Sequence, residues 1–346
     1  MDVYLESGFL NFRYIYDSKI PFWFVVGGRA IGKTYGALFD ALVLGLKIIY
    51  MRRTQAQTDL INRPEFSPYK AIMRDHPEYT ITTESITKYN AGIYREGESG
   101  DKDDRTLVGY TAALSTFSNI RGFDASDCDV LIFDEFCPES HERLIKNEAE
   151  AFLNCVETIS RNRELMGRPP LKVLCLSNSN QLGNPLFVEL RLVRVCEKLR
   201  NQGEDLYLNQ KRGVAVLMPH DSPISKAKQQ TSLYKLAGDR SDFSQMAIGN
   251  EFVSEGFSES RSMDLKNLIP LVTIGKVTIY KNKGDGKKYY CSEHRTGNAP
   301  CFQDNDIDMV RFHNNYSWVR DVYISNKIIF EDHSAEILLK KYLDIC

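Results

Sequence analysis

The sequence predicts an α/β protein, a parallel sheet flanked by helices, followed by a smaller C-terminal α+β domain. Three observations carry this expectation. Short apolar, β-like runs alternate with helix-like stretches over the first two-thirds of the chain. Residues 27–34, Gly-Gly-Arg-Ala-Ile-Gly-Lys-Thr, form a complete G-x-x-x-x-G-K-[ST] phosphate-binding loop, preceded by an apolar run and followed by a helix-like one. A second apolar run, residues 129–135, reads Asp-Val-Leu-Ile-Phe-Asp-Glu and ends in two carboxylates. Loop and acids together specify a P-loop NTPase sheet, and the second acid makes it ASCE-type, the class with a catalytic glutamate.

The elements follow in order. Residues 22–26 are the first strand, residues 35–46 the helix behind the loop, and 47–51, 107–113, 130–133 and 172–176 four further strands. Their near-continuous apolar character suits strands covered on both faces. Residues 147–166 read as a helix that stops at Gly167 before Pro169-Pro170. The charged, Gly-containing stretch 96–105 is a loop or hairpin tip. Residues 201–245 are polar, with a helix-like piece at 224–236, and read as a linker subdomain between a P-loop domain at 1–200 and a C-terminal domain at 246–346. In that last part a strand is expected at 271–280, a hairpin turn at Asp285-Gly286 leading to 289–291, and a final helix at 335–343.

Composition narrows the classes. A chain of 346 residues suggests two domains, and a formal net charge of −2 means that nucleic acid would be met by a local patch or by a ring of subunits. No run of eighteen apolar residues exists, so no membrane span is expected, and the acidic N-terminus lacks a signal-peptide pattern. The eight cysteines are scattered without a C-x-x-C pair, which suits a reducing cytoplasm. Cys291, His294, Cys301 and His313 form a loose group. It reads as a reduced thiol pair beside a polar loop, with zinc ligation as the alternative.

The chemistry is concentrated in the first domain. Gly27 and Gly32 let the backbone turn its N–H groups toward phosphate oxygens, and the following helix N-terminus favours anions. Lys33 would reach the outer phosphates and Thr34 would hold Mg²⁺. Asp134 would complete the metal shell and Glu135 would polarise the attacking water. GTP switches usually position the water with a glutamine rather than an adjacent glutamate, and a water-activating acid is not needed by a small-molecule kinase. ATP hydrolysis coupled to mechanical work is the expectation. Asn178, at the tip of the strand beside the acids, is a candidate γ-phosphate sensor; a turn-forming Asn is the bland alternative. Arg161 and Arg163, late in the helix, are either helix-dipole partners or an arginine finger.

This set of motifs resembles the large subunits of phage terminases, and most closely the DNA-packaging ATPases of small short-tailed Bacillus-type phages. The similarity rests on Arg29 inside the phosphate loop, Tyr50-Met51-Arg52-Arg53, the run from Val130 through Asp134-Glu135-Phe136, Arg161-Asn162-Arg163-Glu164 and Leu176-Ser177-Asn178. It implies an ATP- and Mg²⁺-dependent translocase of double-stranded DNA that packages a viral genome. It further implies a homo-oligomeric ring, a pentamer, acting at the portal (connector) of a procapsid, with a packaging RNA as a further candidate partner and no membrane. The location would be the host cytoplasm and, transiently, the portal vertex. By the same resemblance Arg161 is the finger acting on a neighbouring subunit, and Arg121 lies in a loop that contacts DNA phosphates. Gln55 stands where the family carries a lysine acting across the subunit boundary.

Large terminases carry a nuclease of RNase H type in the second domain. Here the candidate first strand, 271–280, has no acid, and Asp304, Asp306 and Asp308 read as a solvated acidic loop. A vestigial, nuclease-dead domain is therefore expected. Its basic hairpin, Lys281, Lys283, Lys287 and Lys288, is either a DNA or portal contact or a solubilising tip. Two other functions remain alternatives: a full terminase with an active endonuclease, and a nucleotide-gated scaffold that does not turn over.

Overall fold

A computed structural model of the chain describes residues 3–120, 123–138, 142, 145–178, 182–219, 222, 224, 227, 230–237, 260–282 and 288–343. The chain divides into two compact units, Met1–Pro185 with Lys198–Val253, and Leu186–Glu197 with Ser254–Cys346. Among the described residues no helix is long and apolar enough to cross a membrane.

The first unit is built on nine strands: β1 (Phe22–Val26), β2 (Ile48–Arg52), β3 (Ile81–Thr87), β4 (Asn90–Arg95), β5 (Thr106–Ala113), β6 (Val130–Asp134), β7 (Lys172–Ser177), β8 (Leu206–Asn209) and β9 (Val214–Leu217). They lie in the order β3-β4-β5-β2-β6-β7-β1-β9-β8. The six from β5 to β9 run parallel. Antiparallel hairpin strands close both edges, β3-β4 on one side and β8 on the other. The five strands expected from apolar runs all form and hold the centre, buried on both faces as such sequences require.

The remaining four lacked that signal. β3, Thr-rich and largely uncovered, is an edge strand, and β9 is fully buried but only four residues long. β9 pairs with β1, Phe22 opposite Val214. This part of the 201–245 segment, expected to be a linker, therefore completes the sheet.

Helix α1 (Phe12–Asp17) precedes β1, and α2 (Lys33–Val43), α3 (Gln55–Ile61), α4 (Lys70–Asp75) and α5 (Glu148–Ser160) lie between the later strands of this unit. α2 buries Ala37, Leu38, Ala41 and Leu42, one face at helical spacing, in a core shared with Trp23, Val25, Ile132 and Leu174. α5 is shorter than its sequence pattern. It ends at Ser160 because Arg161 takes a left-handed backbone, φ 45°. Arg161 is therefore a cap residue outside the helix, not a member of its last turn. Further along the chain come α6 (Pro185–Glu189), α7 (Val193–Gln202) and α8 (Ser232–Ala237).

The second unit has strands β10 (Leu268–Ile274), β11 (Val277–Asn282), β12 (Tyr289–Ser292), β13 (Cys301–Phe302) and β14 (Ile328–Phe330), in the order β13-β10-β11-β12-β14. β10, β11 and β12 form an antiparallel meander, and β13 and β14 join its edges in parallel. Helices α9 (Asp306–Asn315), α10 (Trp318–Ile324) and α11 (His333–Tyr342) accompany this sheet, with Phe312, Val319, Leu338, Leu339 and Tyr342 in its core. Residues 186–197 belong here rather than with the first unit. Arg194 pairs with Glu331 at 2.9 Å and with Asp332, and Lys276 pairs with Glu189 at 2.8 Å.

Three expectations for this unit are corrected. The single strand at 271–280 is a hairpin. Gly275, at φ 52°, turns the chain so that Ile274 faces Val277, and an added Cβ there would lie 2.3 Å from the Tyr342 ring. Asp306 and Asp308 are not in a loop. They occupy the first turn of α9, where the helix dipole favours acids, behind the N-cap Asn305. Cys291 and Cys301 lie on β12 and β13, with β10 and β11 between them, three strand spacings or about 14 Å apart. They form neither a thiol pair nor a shared zinc site. Cys291 is a core residue whose thiol is pushed up by burial. Among the described residues, no three His, Cys, Asp or Glu side chains gather to hold a metal.

Candidate active site

The phosphate loop leaves β1, between β7 and β9 in the sheet, and closes into the first turn of α2. Gly27 N–H donates to the Ser177 carbonyl at 3.1 Å, tying the start of the loop to the end of β7. Gly32 caps α2 at φ 85°, with Phe9 packed where a side chain would sit; a Cβ there would lie 3.0 Å from the Phe9 ring. Ala30 is also left-handed, φ 59°. Lys33 is buried, and its ammonium donates to the carbonyls of Gly27 (2.9 Å) and Gly28 (2.7 Å). The cation is therefore held inside the curve of the loop, where a phosphate would meet it. Arg29 lies in the same loop, half-buried.

Strand order explains how the rest assembles. β7 lies between β1 and β6, so the end of β7 falls between the phosphate loop and the acids. Asn178 follows that end directly, and its side-chain oxygen accepts from Lys33 at 3.1 Å. Asp134, the last residue of β6, is buried. It accepts from the Thr34 hydroxyl at 2.9 Å and from the Tyr50 hydroxyl at 2.6 Å, and it lies 3.5 Å from the Arg52 guanidinium. Tyr50 and Arg52 alternate on one face of β2, which pairs with β6. Thr34 and Asp134 present oxygen ligands to one point, the donor type that Mg²⁺ takes.

Glu135 follows at φ 57°, a left-handed conformation that aims its side chain away from the strand direction. Its carboxylate pairs with Arg52 and is about half exposed. Burial pushes its pKa up; Arg52 opposes that and the neighbouring Asp134 adds to it. A carboxyl with a raised pKa is a better proton acceptor, as a water-activating base requires.

The other face of the Arg-Arg pair has a different task. Arg53 is 1% exposed and makes a bidentate pair with the equally buried Glu148, at 2.7 and 3.0 Å, and a third contact to Glu142 at 3.3 Å. Glu148 is the first residue of α5. The clamp therefore fixes the start of α5 at the C-terminal end of β2, beside the acids. Tyr50, Arg53 and Glu148 were not singled out for roles in the sequence. Alternation at the end of β2 would have separated Arg52 from Arg53, but nothing near Glu148 in the sequence marks it as Arg53's partner.

At the far end of α5 the two arginines diverge. Arg163 is buried, donates to the Cys128 carbonyl at 2.6 Å and lies 3.8 Å from Asp129, at the N-terminal end of β6. Arg161 is half exposed and pairs with Asp124 at 3.5 Å. α5 is about 20 Å long, so Arg161 stands at the opposite edge of the sheet from its own phosphate loop. Gln55 bonds to Asp59 and Thr116. Arg121, Lys283 and Lys287 lie outside the described residues.

Residues 6–303 match the model of the podovirus DNA encapsidation protein (Gp16). The chain belongs to that family. The match takes in every active-site residue above and runs into the second unit. Among relatives, the chain is 24% identical over 308 residues to the DNA packaging protein of Bacillus phage phi29, covering 85% of this chain and 83% of that one. It is 27% identical over 259 residues to the DNA packaging protein of Bacillus phage B103, covering 73% and 71%. A solved structure of the bacteriophage Phi-29 viral genome packaging motor assembly superposes with a TM-score of 0.66 at 18% identity, over 97% of this chain and 99% of that one. The Phi-28 gp11 DNA packaging motor gives 0.65, also at 18% identity, over 97% of both. The family's fold thus extends through both units.

The Arg53–Glu148 clamp makes a stability prediction. Glu148→Ala takes the bidentate partner away from a buried guanidinium and should cost about 3–5 kcal/mol, read as a lower denaturant midpoint at unchanged m-value. A loss below about 1 kcal/mol would show that the clamp does not hold α5.

Proposed function

We propose that the chain is a DNA-packaging ATPase: an ATP-driven translocase of double-stranded DNA that works as a ring on a procapsid portal and hydrolyses ATP at subunit boundaries. The observation that carries this is the convergence of Lys33, Thr34, Asp134, Glu135 and Asn178 at the C-terminal ends of β1, β6 and β7, in a chain of the DNA encapsidation family. The names of the phi29 and B103 relatives support packaging as the use.

The residues divide the chemistry as follows. Backbone amides of the loop and the Lys33 ammonium bind the nucleotide phosphates. Thr34 and Asp134 would hold Mg²⁺, which would supply positive charge against the phosphates. Glu135 orients the attacking water and accepts its proton, and Asn178 links the state of the phosphates, through Lys33, to β7. Arg52 pairs with both Glu135 and Asp134. Accepting a proton from water requires that Glu135 leave its pair with Arg52. Arg161 completes the site from a neighbouring copy, since its own loop lies at the other edge of the sheet. Arg163 is committed to the protein interior and is not the finger.

The second unit is read as a nuclease-dead domain. β10 carries no acid. The clustered aspartates serve structure: Asp308 accepts from Gln303 N–H at 3.0 Å, and Asp304 pairs with Lys341 at 2.8 Å. A DNA or portal contact by Lys283 and Lys287 belongs to the same reading.

ATP hydrolysis should be stimulated by DNA together with procapsids, and Glu135→Gln should lower it by about 10²–10⁴-fold while a fluorescent ATP analogue still binds. Hydrolysis indifferent to both DNA and procapsid would contradict a packaging role. Incubation of the wild-type chain with Mn²⁺ and supercoiled plasmid should leave the plasmid intact. Nicking that persists in Lys33→Ala would overturn the nuclease-dead reading.

A further inference from the structure

The turn that follows α5 is firmly braced yet exposes apolar side chains. Arg163 anchors it to Cys128, and backbone bonds close it, Met166 N–H to Asn162 O at 3.0 Å and Arg168 N–H to Arg163 O at 2.9 Å. On this fixed frame Leu165 is 87% and Met166 75% exposed. A braced turn that places two large apolar groups in water points to a protein contact. Arg161 leaves the same turn.

A matching surface lies at the other edge of the unit. Residues 4–10 form a tight loop, with Leu5 N–H bonded to Phe9 O at 2.8 Å and Leu10 N–H bonded to Ile31 O at 3.2 Å, so the loop lies against the phosphate loop. Its Leu5 and Phe9 side chains are both more than a third exposed. One surface thus carries a cation beside an apolar pair. The other carries an anion-binding loop beside an apolar pair. The two surfaces are different and complementary, the requirement for a head-to-tail contact that can repeat around a ring.

We propose that residues 161–167 are the anchor between copies of this chain. Leu165 and Met166 of one copy pack on Leu5 and Phe9 of the next, and this contact seats Arg161 at the next copy's nucleotide phosphates. The proposal rests on the reading of Arg161 as a residue acting in trans and names the surface that delivers it.

The test uses the full chain bound to procapsids with DNA and ATP. In a Phe9→Cys/Met166→Cys double variant, mild oxidation should give disulfide-linked dimers and higher multimers, absent from either single variant. A Leu165→Ser/Met166→Ser variant should keep the parent's thermal unfolding midpoint and lose at least tenfold in stimulated hydrolysis. Procapsid-bound double-cysteine protein that does not cross-link, or a double-serine variant with parental hydrolysis, would overturn the anchor. Arg161→Ala, made in the double-cysteine background, separates the two ideas. Cross-linking with hydrolysis lost relative to the double-cysteine parent supports both, whereas cross-linking with that parent's hydrolysis retained keeps the anchor and removes the finger.

Discussion

The buried carboxylate of Asp134 is the point on which the first unit turns. A carboxylate removed from water is stable only if its lone pairs are filled, and here three partners come from two other elements of the chain. Thr34 reaches it from the first turn of α2, while Tyr50 and Arg52 reach it from β2. These contacts fix the phosphate loop, the helix behind it and the neighbouring strand relative to β6. They also place Glu135, one residue on, within reach of Arg52. One desolvated acid thus does two things at once. It organises the sheet's C-terminal edge and creates the oxygen-rich point where a metal and phosphates would sit.

The second constraint is the length of α5. Its first residue is locked to Arg53 beside the acids, and its last leads into Arg161 near Asp124, a helix length away. A single copy therefore holds a phosphate loop at one edge and the half-exposed Arg161 guanidinium, beside Asp124, at the other. Opposite placement of complementary groups is what makes a site that two copies complete together. The rigid clamp at Arg53–Glu148 also gives any shift of β2 a direct route to α5.

Much of this was legible in the sequence. The phosphate loop, the Asp134-Glu135 pair and the five central strands each have a local signal: a motif, or an apolar run that only a doubly covered strand tolerates. The place of Asn178 was legible because it directly follows the strand that runs beside the acids. What was not legible depended on tertiary context. The end of α5 is set by one left-handed residue, Arg161, which no helix propensity forecasts. The place of β9 beside β1 depends on four apolar residues inside a polar stretch. The partnership of Arg53 with Glu148 spans ninety-five positions. The hairpin at Gly275 hid inside a run that alternates well enough to pass for a single strand.

The central claim is that ATP is hydrolysed across a boundary between copies, with Arg161 supplied by one chain and the phosphate loop by another. Mixing Arg161→Ala and Lys33→Ala chains on procapsids, each inactive alone, tests it most directly. Mixed assemblies contain boundaries in which an intact loop faces an intact arginine, so DNA-stimulated hydrolysis should recover in part and peak at intermediate ratios. No recovery at any ratio, with both variants bound to the procapsid, would contradict the account.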